Sequence, residues 1–228
     1  MAIKTANEND STIILANDPD ADRLAVAEKA KNGSWKIFNG NEIGALYGWW
    51  LWHNFRQKHA SEFEKDAQFV KNVYMLYSTV SSQILSSIAA KEGFCSEDTL
   101  TGFKWMGNRA HQLLQEKKHV LFSFEEAIGF MCGTAVLDKD GVSAEAVMAE
   151  MAIYLKEVEN RSLDEQLSWI YTRYGFHTSN NSYFLCYEQE NIKKMFERLR
   201  HYQNENDSEY SVININPDEY LNSTIAIN

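Results

Sequence analysis

Cysteine is scarce, and no two cysteines are close: Cys95, Cys132 and Cys186 are the three in 228 residues. An odd count, wide spacing and no C-x-x-C argue against a disulfide framework and suit free thiols in a reducing compartment. Positive charge is also short. Lys and Arg number 22 against 32 Asp and Glu, a formal net charge of -10. That excludes a general affinity for nucleic acid or for an anionic membrane, and a phosphorylated ligand would have to be held by local groups. Long apolar runs are missing too. The most apolar helical stretch, "IGALYGWWLWHNF" (Ile43 to Phe55), is too short and too polar at its flanks to span a bilayer, and "MAIKTANENDST" has no apolar centre of a secretory leader. There is no G-x-S-x-G, no G-x-G-x-x-G and no H-x3-H pair among the six histidines. A soluble cytosolic protein is the expectation.

What is present is a globular composition, 44% hydrophobic and 13% aromatic. "STIILAN" and "RLAVAEK" read as strands around the turn "NDPDAD", and "SWKIF" as a third strand ending at Asn39-Gly40. A helix follows from near Glu42 towards Arg56. "FVKNVYMLYSTV" reads as a strand, and "SSQILSSIAAKEG" as a helix with Gly93 as its C-cap. Next come a helix at "MGNRAHQLLQEKK", a strand at "HVLFSFEE" and a hairpin or turn with Asp140-Gly141 at its tip. Helices at "SAEAVMAEMAIYLKEV", N-capped by Ser143, and at "SLDEQLSWIYTRYG" complete the α/β alternation. "SNNSYFLCYEQENIKKMFERLRHY" reads as a strand and a helix. The Asn-rich remainder offers little to a core.

"ILANDPDADRLAVAEK" carries Asp18, Asp20 and Asp22 at alternate positions between two strands. Alternate side chains of an extended segment diverge, so the three carboxylates meet only if the loop curls, and Pro19 favours a bend. Gathering three negative charges costs several kcal/mol without a cation, and a hard divalent ion such as Mg²⁺ is the matching partner. An EF-hand is excluded because its sixth and twelfth positions fall on Arg23 and Lys29 instead of Gly and Glu. A phosphatase of the D-x-D type fits poorly, since Arg23 and Leu24 follow the pair Asp20 and Asp22. The competing reading is a solvated acidic turn; Arg23 weighs against it, as a cation there suits a phosphoryl oxygen.

Two further segments carry chemistry. "FSFEEAIGF" puts Glu125 and Glu126 directly after a strand, where a carboxylate could accept two sugar hydroxyls or merely favour a helix N-terminus. "TLTGFKWMGN" combines Gly102, Lys104 and Gly107 in a turn able to hold a phosphate, though it is too short for a P-loop. The tryptophans Trp49, Trp50 and Trp52 read as core and interface.

Taken in order, "DPDADRLA", "TGFKWMGN" and "FEEAIGF" resemble the metal loop, the domain 3 specificity loop and the sugar-binding loop of the α-D-phosphohexomutases. "FEEAIGF.CG" followed by "LDKDGVSA" resembles most the phosphopentomutase-like branch of phosphoglucomutases, which includes glucose-1,6-bisphosphate synthase. The resemblance implies an α/β fold: domain 3, a mixed sheet with flanking helices, at 41–160, preceded by the end of domain 2 at 1–40 and followed by a linker helix and the start of domain 4 at 161–228. It also implies intramolecular phosphoryl transfer through a sugar bisphosphate such as glucose 1,6-bisphosphate, with Mg²⁺ on Asp18, Asp20 and Asp22. Arg23 would meet the transferring phosphoryl group. Gly102, Phe103, Lys104, Glu125 and Glu126 would face a hexose or pentose phosphate. Ala127 stands where many relatives have Ser, which suits a pentose. Neither the relatives' serine loop, T-A-S-H-N-P, nor their phosphate loop, R-T-S-G-T-E-P, occurs in the chain. The expectation is the middle of a mutase with weak Mg²⁺ binding and no turnover alone, or else a non-catalytic binding or interaction module.

Overall fold

The computed structural model describes residues 1–179 and 185–200 and the backbone of 212–215 and 225–227. The chain forms two compact units, Met1–Ser179 and Asn180–Asn228. In the first, a short helix α1 (Ala2–Glu8) precedes an antiparallel sheet of β1 (Ile13–Asn17), β2 (Leu24–Lys29) and β3 (Trp35–Phe38) in that order. These are the three strands expected from their apolar runs; α1 was not expected.

The second sheet has the order β5–β4–β6–β7. It is built from β4 (Val73–Ser78), β5 (Cys95–Thr99), β6 (His119–Glu125) and β7 (Gly129–Cys132). The first three run parallel, and β7 returns antiparallel to β6. Side chains alternate across β4: Met75 and Tyr77 join the larger core cluster, and Leu76 the smaller one. The β4–β6 register shifts between Tyr74 and Met75, so Val120 and Phe122 fall into different clusters despite their even spacing.

Helix α2 (Gly40–Lys58) is buried on most sides, with Tyr47, Trp49, Trp50 and Trp52 all in the core. Asn39 and Glu42 form a capping box at its start, so the helix begins before Glu42. With α4 (Ile84–Glu92), α6 (Gly141–Glu157) and α7 (Leu163–Tyr174), α2 packs into the larger cluster, and α5 (Phe103–Gln115) into the smaller. The short α3 (Ala60–Lys65) and a 3₁₀ turn at Phe69–Asn72 connect α2 to β4, which starts later than expected. The Asp140-Gly141 pair is no hairpin tip. Asp140 is the N-cap of α6, its carboxylate accepting the Val142 N–H at 3.1 Å, and Ser143 lies inside the helix.

The second unit contains α8 (Gln189–Arg200) and an antiparallel pair of β8 (Val212–Ile215) and β9 (Ile225–Ile227). Part of the strand expected around "NSYFLCY" lies outside the described residues, and 185–188 have no regular structure. The three cysteines are free thiols. No helix among the described residues is long and apolar enough to cross a membrane.

At the end of the first unit's helical layer, Glu92 ties three helices together. Its carboxylate accepts from Tyr174 Oη at 2.7 Å, Arg173 Nη2 at 2.9 Å, Trp52 Nε1 at 3.1 Å and Arg56 Nη1 at 3.2 Å. Burial pushes this carboxyl up, but the hydrogen bonds from Tyr174, Arg173 and Trp52 outweigh it and hold the group below the usual glutamate range. Glu92→Gln should therefore cost about 2 kcal/mol near neutral pH. A folded-state value below the unfolded one gives stability that is present above the unfolded value and lost on acidification, so the gap should close as the pH falls below about 4. Urea melts of both proteins across pH check this, and a pH-independent gap would contradict it.

Candidate functional site

The aspartates occupy the loop joining β1 to β2, whose ends are fixed by the pairing of Asn17 with Leu24. The loop curls as the charge argument requires. The Ala21 N–H donates to the Asp18 carbonyl at 3.0 Å, Ala21 adopts φ +57°, and Asn17 Nδ2 donates to the Arg23 carbonyl at 2.9 Å. Arg23 then grips Asp18 twice, its N–H on Oδ1 at 3.1 Å and its Nε on Oδ2 at 2.6 Å. One carboxylate oxygen from each of Asp18, Asp20 and Asp22 lies within 4.8 Å of the others. Desolvation raises the Asp18 carboxyl, and the Arg23 N–H and guanidinium more than reverse it, leaving Asp18 below its ordinary value.

Asp22 is held differently. Its Oδ2 lies 2.9 Å from Lys139 Nζ, while its Oδ1 is buried and accepts no hydrogen bond. An orphaned carboxylate oxygen beside two further carboxylates is the donor set a hard cation takes. The residues present therefore fit Mg²⁺, with Asp18, Asp20 and Asp22 as its oxygen donors.

The loop's exit is paired to the turn that follows Glu125. Arg23 forms an antiparallel β-bridge with Gly129, and the Leu24 N–H donates to the Ile128 carbonyl at 3.1 Å. Gly129 is also the register partner of Glu125, so Glu125 stands directly beyond the aspartate loop. Glu125 Oε1 accepts the Gly102 N–H at 2.5 Å, which draws the start of α5 to the same place. Three motifs separated in sequence thus converge at the carboxyl ends of β4 and β6.

The expected substrate residues are not equivalent in their surroundings. Glu125 is half-buried at the junction, and Lys104 is exposed on the first turn of α5, its Nζ 5.8 Å from the Trp105 ring centroid. Phe103 is buried in the smaller core cluster, with its ring 5.8 Å from Lys139 Nζ. Glu126 turns inward: its Oε2 lies 3.3 Å from Ser81 Oγ and 3.5 Å from Ser78 Oγ, and its N–H donates to Ser81 Oγ at 3.0 Å. Asn41 joins this layer by accepting the Ser82 N–H at 2.8 Å. Arg23 uses Nε on the carboxylates, and its terminal nitrogens have no partner among the described residues.

Sequence reasoning missed Lys139 and Gly141, although both stand in the quoted "LDKDGVSA". The hydrogen bond that the Lys139 ammonium donates to the Asp22 carboxylate raises the lysine above its ordinary value. The Gly141 N–H donates to the Ala21 carbonyl at 3.0 Å, and a Cβ at 141 would fall 2.5 Å from both the Arg23 carbonyl oxygen and Asn17 Nδ2. Gly141→Ala should force the aspartate loop off α6 and cost about 2 kcal/mol. Faster amide hydrogen exchange at 18–23 is the expected signature; unchanged exchange there would show that the loop does not lean on α6.

The alpha/beta/alpha domain III family of phosphoglucomutases and phosphomannomutases matches residues 39–174. Phosphopentomutase from Homo sapiens is 55% identical over 206 residues, 90% of this chain and 33% of that protein. Glucose 1,6-bisphosphate synthase from Homo sapiens is 54% identical over 202 residues, 89% and 32% of the two. In fold, the open form of parafusin, a phosphoglucomutase from Paramecium, superposes with a TM-score of 0.58 at 18% identity, over 95% of this chain and 34% of that one. The chain spans about a third of the length of the curated relatives it matches.

Proposed function

The chain belongs to the phosphoglucomutase/phosphomannomutase family, and we propose from that premise that it is the central part of a phosphosugar mutase acting through a sugar bisphosphate. In this reading residues 1–40 close domain 2, 41–160 form domain 3, and 161–228 lead into domain 4. The observation that carries it is the convergence of Asp18, Asp20 and Asp22 with Glu125 and the start of α5 around one backbone bridge.

Each group has a chemical task that its surroundings support. Asp18, Asp20 and Asp22 hold Mg²⁺, which when bound neutralises charge and polarises a phosphoryl oxygen. The terminal nitrogens of Arg23, free beside those carboxylates, receive an oxygen of the transferring group. Glu125 has one oxygen committed to Gly102 and keeps Oε2 for a sugar hydroxyl. Lys104 and the N-terminal turn of α5 favour the far, anionic end of the ligand. Glu126, spent on Ser78 and Ser81, supports the turn instead of binding sugar. The serine loop of the relatives, T-A-S-H-N-P, does not occur in these 228 residues, and this reading expects no turnover by the chain alone.

A pentose phosphate is favoured, because Ala127 offers no hydroxyl near Glu125 and phosphopentomutase is among the relatives at 55% identity. The second reading, glucose 1,6-bisphosphate synthesis, draws on the relative at 54% identity. A protein confined to the 26.3 kDa of this chain would act as a binding module, and intact mass from the source cells separates that case from a slice of a larger mutase.

Thermal melts test the site directly. Mg²⁺ should raise Tm for the wild-type chain, and Asp18→Asn, Asp20→Asn or Asp22→Asn should each remove the shift. Ribose 5-phosphate should add a second increment that Glu125→Gln removes while the Mg²⁺ shift stays. Wild type and variants responding alike to Mg²⁺ would sink the metal assignment.

A further inference from the structure

We propose that Lys139 selects the cation, by holding Asp22 as a one-oxygen ligand and so favouring Mg²⁺ over Ca²⁺. The inference rests on the reading of Asp18, Asp20 and Asp22 as cation ligands and goes beyond it to the basis of discrimination. Lys139 Nζ sits 2.9 Å from Asp22 Oδ2 and occupies that oxygen, while Oδ1 is buried, accepts no hydrogen bond and has only Arg23 Nε at 3.6 Å beside it. The ammonium is itself located by three neighbours: Asp22, Asp138 Oδ1 at 3.8 Å, and the face of Phe103 at 5.8 Å. Its stem runs over Gly129, where a Cβ would fall 2.9 Å from Lys139 Cδ and 3.1 Å from the Phe103 ring. The side chain is threaded between the turn that follows Glu125 and α5 instead of waving in solvent, so its grip on Asp22 is a built feature.

The consequence follows from coordination chemistry. Mg²⁺ takes six oxygens in a near-ideal octahedron at about 2.1 Å, one from each carboxylate, whereas Ca²⁺ takes six to eight at about 2.4 Å and accepts both oxygens of one carboxylate. An ammonium fixed on Oδ2 forbids the second mode at Asp22. It leaves the first untouched. Lys139 is thus a positioning residue acting through Asp22, of the kind in which outer partners orient metal ligands.

The test is calorimetric titration of the chain with Mg²⁺ and with Ca²⁺, for wild type, Lys139→Met and Lys139→Arg, with metal-free melts as a control of folding. Removing the ammonium lifts a repulsion felt equally by two divalent ions, so the ratio of affinities isolates geometry from charge. Lys139→Met should shift the Mg²⁺ to Ca²⁺ preference towards Ca²⁺ by roughly tenfold. Lys139→Arg, which restores a donor on Oδ2, should recover most of it. Parallel changes for both ions, in either variant, would overturn the proposal and leave the metal site standing. No binding of either ion to wild type would overturn both.

Discussion

Arg23 pairs with Gly129 through one antiparallel bridge, and beside it Leu24 donates to the carbonyl of Ile128. These contacts join two sheets that otherwise have separate strand orders, and they do so between the loop bearing the aspartates and the turn following Glu125. The backbone on both sides is forced. Ala21 and Ile128 each sit in the left-handed region, at φ +57° and +58°, a conformation costing on the order of 1–3 kcal/mol for a residue with a Cβ. The cores beneath hold them there: Leu24, three residues after Ala21, and Phe130, two after Ile128, are both almost fully buried. The strain at Ala21 and Ile128 lies where two carboxylate-bearing segments meet, and packing away from that junction sustains it.

The electrostatics follow from the same contact. Bringing β2 against the turn at 126–129 places Asp22 under Lys139, which reaches it from the segment leading into α6. Three carboxylates are then matched by two fixed cations, Arg23 on Asp18 and Lys139 on Asp22, with Asp20 exposed and one oxygen of Asp22 unsatisfied. In a chain of net charge -10, that local pairing offsets two of the three carboxylates and leaves one negative charge over. The Arg23 side chain is committed through Nε, which lies 2.6 Å from Asp18 Oδ2 and 3.6 Å from Asp22 Oδ1. The two neighbouring glutamates divide their labour. Glu126 meets serines behind the turn, and Glu125, one residue earlier on the opposite side of the strand end, accepts the Gly102 N–H.

Much of this was legible in the sequence, and the parts that were not share a cause. Apolar runs gave β1, β2, β4 and β6, and the triple aspartate with its flanking strands gave the curled loop. The edge strand β5 reads "CSEDT", polar at nearly every position, because it pairs along one side only and buries little. Asp140-Gly141 carries the chemistry of a turn and of a helix start alike; the choice went to the helix because Gly141 must lie flat against the Arg23 and Ala21 carbonyls, where no Cβ fits. Lys139 gave no signal at all. A single lysine among acidic neighbours in a loop looks solvated, and only the tertiary closure of β7 and α6 onto the aspartate loop brings it to Asp22. Local chemistry announces Asp18, Asp20 and Asp22, which share one motif. The group that pairs with Asp22 is recruited across the fold, and spacing along the chain carries no trace of it.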